Sequence, residues 1–225
     1  MHIGLIGGIG PAATEFYYRG LIDRHARSTT RLELTIANAE VRDLSQNLAN
    51  KDAPKQAQIF AALIARLKGA GAQAAAVTSI GGHFCIAELL PISPLPILNA
   101  IPEVDAAIRQ GKFKAVGIIG TRMVMETQLY GAISSAAVVV PRGADLDEVH
   151  ENYTAMATAG RATDAQRRVF FAVGERLHRE QGAEIVLLGG TDLFLAFQGR
   201  DAGFPVLDCA DVHVDAIYKA SLRTS

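Results

Sequence analysis

Gly7-Gly8-Ile9-Gly10-Pro11-Ala12-Ala13-Thr14 follows directly on the apolar run Ile3-Gly4-Leu5-Ile6. A short aliphatic run that ends in a glycine turn reads as a buried strand feeding a helix, here over residues 14–25. The unit recurs. Ala115-Val116-Gly117-Ile118-Ile119-Gly120 answers His2-Ile3-Gly4-Leu5-Ile6-Gly7, Val186-Leu187-Leu188-Gly189 answers Ala76-Val77-Thr78-Ser79, and Phe204-Pro205-Val206-Leu207-Asp208 answers Leu95-Pro96-Ile97-Leu98-Asn99. The offset stays near about 110 residues in all three pairs, which points to one supersecondary plan used twice.

Buried parallel strands read as near-continuous aliphatic runs, because helices cover both faces of the sheet. Such runs occupy residues 3–6, 32–37, 74–77 and 96–98, and again 115–119, 137–140, 185–188 and 205–207. Helices are expected at 55–68, with Ile59, Leu63 and Leu67 on one stripe, at 163–179, with Val169, Val173 and Leu177, and at 210–222, the last packing back on the first half. Residues 42–54 and 142–164 are polar and read as loops, solvated or folded over a site, with one amphipathic piece near 150–156. The fold class is α/β: two pseudo-symmetric lobes, each a mostly parallel sheet flanked by helices, built from residues 1–98 plus 209–225 and from residues 99–208.

The chain has 225 residues, 49% hydrophobic and 20% charged, with a formal net charge of -1. That balance carries no long run of one sign and gives no reason to expect nucleic acid or an anionic membrane as partner. No basic-then-apolar leader opens the sequence, and no apolar stretch reaches the length of a membrane span, so a cytoplasmic location is expected. The two cysteines, Cys85 and Cys209, supply neither a disulfide framework nor metal-ligand spacing. No metal or organic cofactor is implied.

In open parallel sheets a ligand sits beyond the carboxyl ends of the strands. Reading past each end gives Gly8, Gly10 and Thr14, then Asn38 and Glu40, then Thr78, Ser79 and His83, and in the second half Thr121 and Arg122, then Gly190, Thr191 and Asp192. Glycines, hydroxyls and helix N-termini suit a small anion such as a carboxylate or phosphate. The first turn lacks the third glycine of a dinucleotide fingerprint and the Gly-Lys-Ser/Thr of a nucleotide P-loop.

These segments resemble the aspartate/glutamate racemase family. Residues 7–14 resemble its Gly-Gly-Met-Gly-Pro-x-Ala-Thr opening. Pro96-Ile97-Leu98-Asn99, Gly120-Thr121-Arg122 and Leu188-Gly189-Gly190-Thr191-Asp192-Leu193 resemble later family segments. The resemblance implies two lobes with the substrate in the cleft between them, a homodimer, and one catalytic cysteine from each lobe. Inverting an α-carbon needs a base on one face and an acid on the other, and a thiol suits both. Anchored on His83, however, the first cysteine position is Ser79, and the second is Gly190.

The candidate catalytic residues are therefore Ser79, His83 and Asp192. Ser79 is either activated by His83 or only hydrogen-bonds a carboxylate. His83 is either the remaining acid/base or orients its loop. Asp192 polarises a neighbour or caps a helix. Gly8, Gly10, Thr14, Asn38, Thr78, Thr121, Arg122 and Thr191 are candidate substrate contacts, with Thr78, Thr121 and Thr191 equally able to cap helices. Arg122 offers a fixed fork of donors for an anion. Cys209, at a helix start with His213 four residues on, is a possible nucleophile or a packing residue, Cys85 a small core residue, and His150 and His178 look like surface residues. The expected ligand is a small acidic amino acid or dicarboxylate, with proton transfer at its α-carbon. The alternative is a non-racemising member, either a one-base lyase or decarboxylase, or an inactive carboxylate-binding protein.

Overall fold

The computed structural model describes residues 1–223, so residues 224 and 225 of the expected first lobe lie outside the described residues. The chain divides into two units. The first runs from Met1 to Asn99 and takes the chain from His213 onward. The second runs from Ala100 to Val212.

Unit 1 contains β1 (Ile3–Gly7), α1 (Pro11–Ser28), β2 (Leu34–Asn38), α2 (Val41–Ala49), α3 (Ala53–Gly69), β3 (Ala74–Val77), a 3-10 turn at Gly81–Cys85, and α4 (Ile86–Leu89). Its sheet is parallel, in the order β2-β1-β3, with Leu5 opposite both Ile36 and Ala76. β1 and β3 are buried along their whole length, as the unbroken aliphatic runs require. Helix α3 begins where Asp52 accepts a hydrogen bond from the Lys55 amide, and it buries Gln56, Ala57, Phe60, Leu63, Ile64 and Leu67. That set recurs every three to four residues, so one stripe faces the sheet. The stripe is centred one residue away from the expected one, and Ile59 lies at its edge. Gly4 sits under the stripe: a Cβ there would lie 2.9 Å from Leu67 Cδ1. The missing side chain is what lets α3 lie close on β1.

Unit 2 contains α5 (Ala100–Gln110), β4 (Ala115–Gly120), α6 (Arg122–Glu126), β5 (Ala137–Val139), α7 (Ala144–Ala159), α8 (Asp164–Arg179), β6 (Ile185–Gly189), α9 (Phe194–Phe197), β7 (Val206–Asp208) and the start of α10 (Cys209–Ser221). Its parallel sheet runs β5-β4-β6-β7. The repeat extends to packing. Gly117 stands where Gly4 stands, and a Cβ on it would lie 3.2 Å from both Leu177 Cβ and Ala183 Cβ. Helix α8 starts with a capping box, in which Thr163 and Gln166 satisfy each other's backbone amides. It buries Phe170, Val173 and Leu177, while Val169 is only half-buried.

Three expectations need correction. Residues 42–54 are not a loop: α2 occupies most of them, because Glu40 caps the Arg42 amide and Leu44 and Asn47 turn inward, Asn47 Nδ2 donating to Gln56 Oε1 at 2.9 Å. Residues 142–164 are mostly α7, whose Leu146, Val149, Tyr153 and Met156 keep a helical stripe under a polar surface. Asp145 and Asp147 in its first turn favour the helix dipole, and Asp145 takes a two-pronged bond from Arg176. Residues 96–98 form only a single parallel bridge, Ala75 with Ile97, whereas the matching β7 is a strand. The C-terminal helix packs on unit 1: Tyr17 Oη bonds His213, and His25 Nε2 meets Ser221 Oγ at 3.0 Å. Among the described residues no helix is long and apolar enough to cross a membrane.

Candidate functional site

In unit 1 the carboxyl ends of β1 and β3 are tied by hydroxyls. Thr14, in the first turn of α1, accepts from the Gly8 amide at 3.0 Å, donates to Gly10 O at 3.0 Å and lies 3.3 Å from Thr78 Oγ1. Thr78 Oγ1 donates to Ile6 O. Gly10 is the N-cap of α1 and has no side chain to cap it, so the first turn of an 18-residue helix keeps its positive end. Asn38, the last residue of β2, folds its amide over Gly8, and its Nδ2 donates to Ala39 O at 3.2 Å. Gly8 has φ +86°, and a Cβ there would meet Asn38 Oδ1 at 2.1 Å and Ala39 O at 2.6 Å. Gly8→Ala is therefore expected to cost at least about 2 kcal/mol, from the left-handed backbone plus the clash. A thermal melt matching the parent's would show that the turn can relax.

Ser79 and His83 meet, but not hydroxyl to ring. His83 Nδ1 lies 2.7 Å from the Ser79 carbonyl oxygen, to which it donates, while Ser79 Oγ accepts from the Gly82 amide at 3.2 Å. The ring thus orients the loop and does not contact the hydroxyl. His83 is 1% exposed, and burial lowers its pKa to about 4 despite the Ser79 bond, so it is neutral at pH 7. Its ring stands edge-on to that of His213, with centroids 5.9 Å apart.

In unit 2 Thr121 caps α6, accepting from the Val124 amide. Arg122 sends its guanidinium to Asp147 and Glu126, which raises its pKa. An anion would have to compete with two carboxylates for that fork. The Arg122 amide donates to His150 Nδ1 at 3.2 Å. His150 is half-buried, as is His178, whose Nδ1 donates to Ala183 O at 2.6 Å, so neither is the simple surface residue expected. Thr191 and Asp192 are buried, and Tyr153 Oη donates to Asp192 Oδ2 at 3.2 Å. Tyr153 also lies against Gly190: a Cβ on that glycine would be 2.3 Å from Cε2, 2.7 Å from Cζ and 2.9 Å from Oη. Sequence reading missed this residue. It stands in the apolar stripe of α7, and spacing within a helix does not say which distant strand end its ring will reach.

Neither cysteine is poised as a nucleophile. Cys85 is fully buried, and burial pushes its thiol up to about 12. Cys209 is fully buried and raised well above the ordinary value, first by burial and then by the carboxylates of Asp208 and Asp192. The thiol at the start of α10 is a packing residue. His213, four residues on, is engaged elsewhere, its Nε2 donating to Leu98 O and its Nδ1 accepting from Tyr17.

A family model described as Asp/Glu/Hydantoin racemase matches residues 6–217. The chain belongs to that family. The racemase fold recurs in solved structures. A candidate Asp/Glu racemase from Yersinia pestis is 25% identical, with a TM-score of 0.85 over 99% of this chain and 100% of that one. An aspartate racemase homologue from Pyrococcus horikoshii is 23% identical, with a TM-score of 0.81 over 99% of each chain. A glutamate racemase from Francisella tularensis, in complex with D-glutamate, is 13% identical, with a TM-score of 0.69 over 100% of this chain and 84% of that one. On this racemase framework the strand-end positions 79 and 190 carry serine and glycine.

Proposed function

We propose that this member of the racemase family binds a small acidic amino acid or related dicarboxylate at its strand-end loops and moves the α-proton from one side only. The carrying observation is the state of the thiols. Ser79 and Gly190 stand at the positions the family resemblance gives to cysteine, and the chain's two real thiols are buried and held protonated. A buried thiol with a raised pKa is neither base nor nucleophile at neutral pH. Two-thiol inversion therefore lacks both of its proton carriers. The uncapped start of α1, after Gly8 and Gly10, supports carboxylate binding in unit 1, and Thr14 and Thr78 hold that turn through their hydroxyls. Asn38, Thr121, Arg122 and Thr191 are proposed as further contacts, and Ser79 and His83 as the groups nearest the proton that moves.

A one-sided step returns a proton to the face it left. L-aspartate or L-glutamate incubated with the protein in deuterated water should gain α-deuterium and keep the L configuration, read by proton NMR and chiral chromatography. Appearance of the D-isomer at the exchange rate overturns the one-sided reading. A second reading, binding without turnover, is favoured by the burial of His83, whose Nδ1 is held by Ser79 O. It predicts thermal stabilisation by the same ligands with no deuterium uptake.

A further inference from the structure

The connection from β4 to β5 in unit 2 is strained. Gln128, Leu129 and Tyr130 stand at φ +52°, +58° and +58°, and Gly131 follows at +68°. An L-residue in this left-handed region sets its Cβ too close to the following carbonyl oxygen, so such residues normally occur singly. Here three non-glycine residues in succession make a left-handed turn. Packing explains one of them, since Leu129 is fully buried. Gln128 is exposed and Tyr130 half-buried, and glycine at either would relieve the strain.

The turn is wired to α6. The Gln128 amide donates to Met125 O at 3.1 Å and the Leu129 amide to Val124 O at 2.9 Å. Thr127 Oγ1 donates to Met123 O at 2.6 Å and accepts from the Tyr130 amide at 3.0 Å. Helix α6 has five residues, too few to hold without tertiary support. It begins at Arg122, whose amide reaches His150. At its far end the segment is clamped to α5. Buried Asp105 accepts from the Ser134 amide at 3.0 Å and from the hydroxyls of Ser134 and Ser135, each at 3.2 Å, and it pairs with Arg109. This clamp, with the burial of Val124, Met125 and Leu129, offsets the strain of the turn. Strain that the surroundings must hold in place lowers the free energy at which a segment opens, and loops that admit ligands are drawn from the low-stability part of a fold.

We propose that residues 122–135 form a loaded strap, which opens locally as one unit and carries Arg122 away from the end of β4. The inference does not depend on which ligand the strand-end loops hold.

Amide hydrogen exchange of the full chain, followed by NMR, tests it. The amides of Met125, Leu129 and Gly131 should share one opening equilibrium, at least about 10-fold less protected than Ile118 of β4 and Leu187 of β6. Gln128→Gly, at the exposed position, relieves one strained residue and should slow exchange at all three amides about threefold. Asp105→Asn weakens the clamp and should quicken it about fivefold. Strap amides as protected as the strands overturn the inference. So does exchange that Gln128→Gly leaves unchanged, and so does opening of the turn with Met125 still protected, since Arg122 would then stay in place.

Discussion

Gly190→Cys alone will destabilise the protein, and the same substitution made together with Tyr153→Ala will cost less than the two single changes added together. The reason is one volume claimed twice. A Cβ at 190 would stand 2.3 Å from Tyr153 Cε2, closer than real Cβ atoms come to a neighbour. The ring cannot simply swing away, because it is packed in the α7 stripe with Val149 and Met156 and its hydroxyl is bonded to Asp192. Forcing extra atoms into such a site costs about 1–3 kcal/mol. Tyr153→Ala alone opens a cavity, at about 3–5 kcal/mol for losing a large ring. In the double variant the cysteine side chain enters the space that the ring vacates. The coupling between the two sites should then be about 2 kcal/mol in favour of the pair, a size seen only for residues in contact. Urea unfolding followed by circular dichroism gives all four corners of the cycle; the chain has no tryptophan to report by fluorescence. Additive losses would mean that Tyr153 and Gly190 do not share space in solution.

That contact marks the limit of what the sequence discloses. The paired glycine turns, Gly7-Gly8 and Gly120-Thr121, and the aliphatic runs before them foretell β1 and β4, since only buried parallel strands read as unbroken apolar runs. The repeat then foretells two sheets, and β2-β1-β3 and β5-β4-β6-β7 share their order. Helices α2 and α7 are less legible, because a helix with one narrow apolar stripe and a charged remainder reads like a polar loop until its caps are seen. Asp52 caps α3 and Thr163 caps α8, whereas Gly143, which precedes α7, makes no side-chain bond at all. At the site, Thr14, Thr78, Ser79 and His83 come together because each follows a strand end, which is a rule of topology. The partners of those residues are set by tertiary packing across long separations. Spacing places His83 four residues from Ser79, but not its ring nitrogen on the Ser79 carbonyl, and nothing local brings His213 or Tyr153 to their stations.

The His83–His213 pair makes unit 1 sensitive to acid. Both rings are buried, at 1% and 0% exposure, and both are neutral in the fold, with pKa values lowered to about 4 and about 3. Burial is the main cause in each; His83 lowers His213 further, and bonds to Ser79 O and Leu98 O act against the shift. In the unfolded chain each histidine titrates near about 6.5. Between that value and the folded one, the unfolded state binds more protons, so stability rises with pH and is lost as pH falls below about 6.5. Each ring contributes a slope of about 1.4 kcal/mol per pH unit. Asp208 acts in the opposite sense. Its pKa is raised to about 7, first by burial, so the folded state holds its proton longer than the unfolded one and stability falls as pH rises through the same window. Asp208 keeps part of its surface exposed, which reduces its share. The net expectation is a loss of about 1 kcal/mol or more for each pH unit between 6.5 and 4.5. Asp208→Asn removes the opposing carboxyl and should steepen the loss toward about 2 kcal/mol per unit, while His213→Gln should flatten it by one ring's worth. Urea midpoints measured in half-unit steps from pH 7.5 to pH 4.5 give the three slopes. A profile that stays level in Asp208→Asn would mean that the two imidazoles take up protons without leaving the fold, and that the Tyr17–His213–Leu98 chain of hydrogen bonds accommodates an imidazolium.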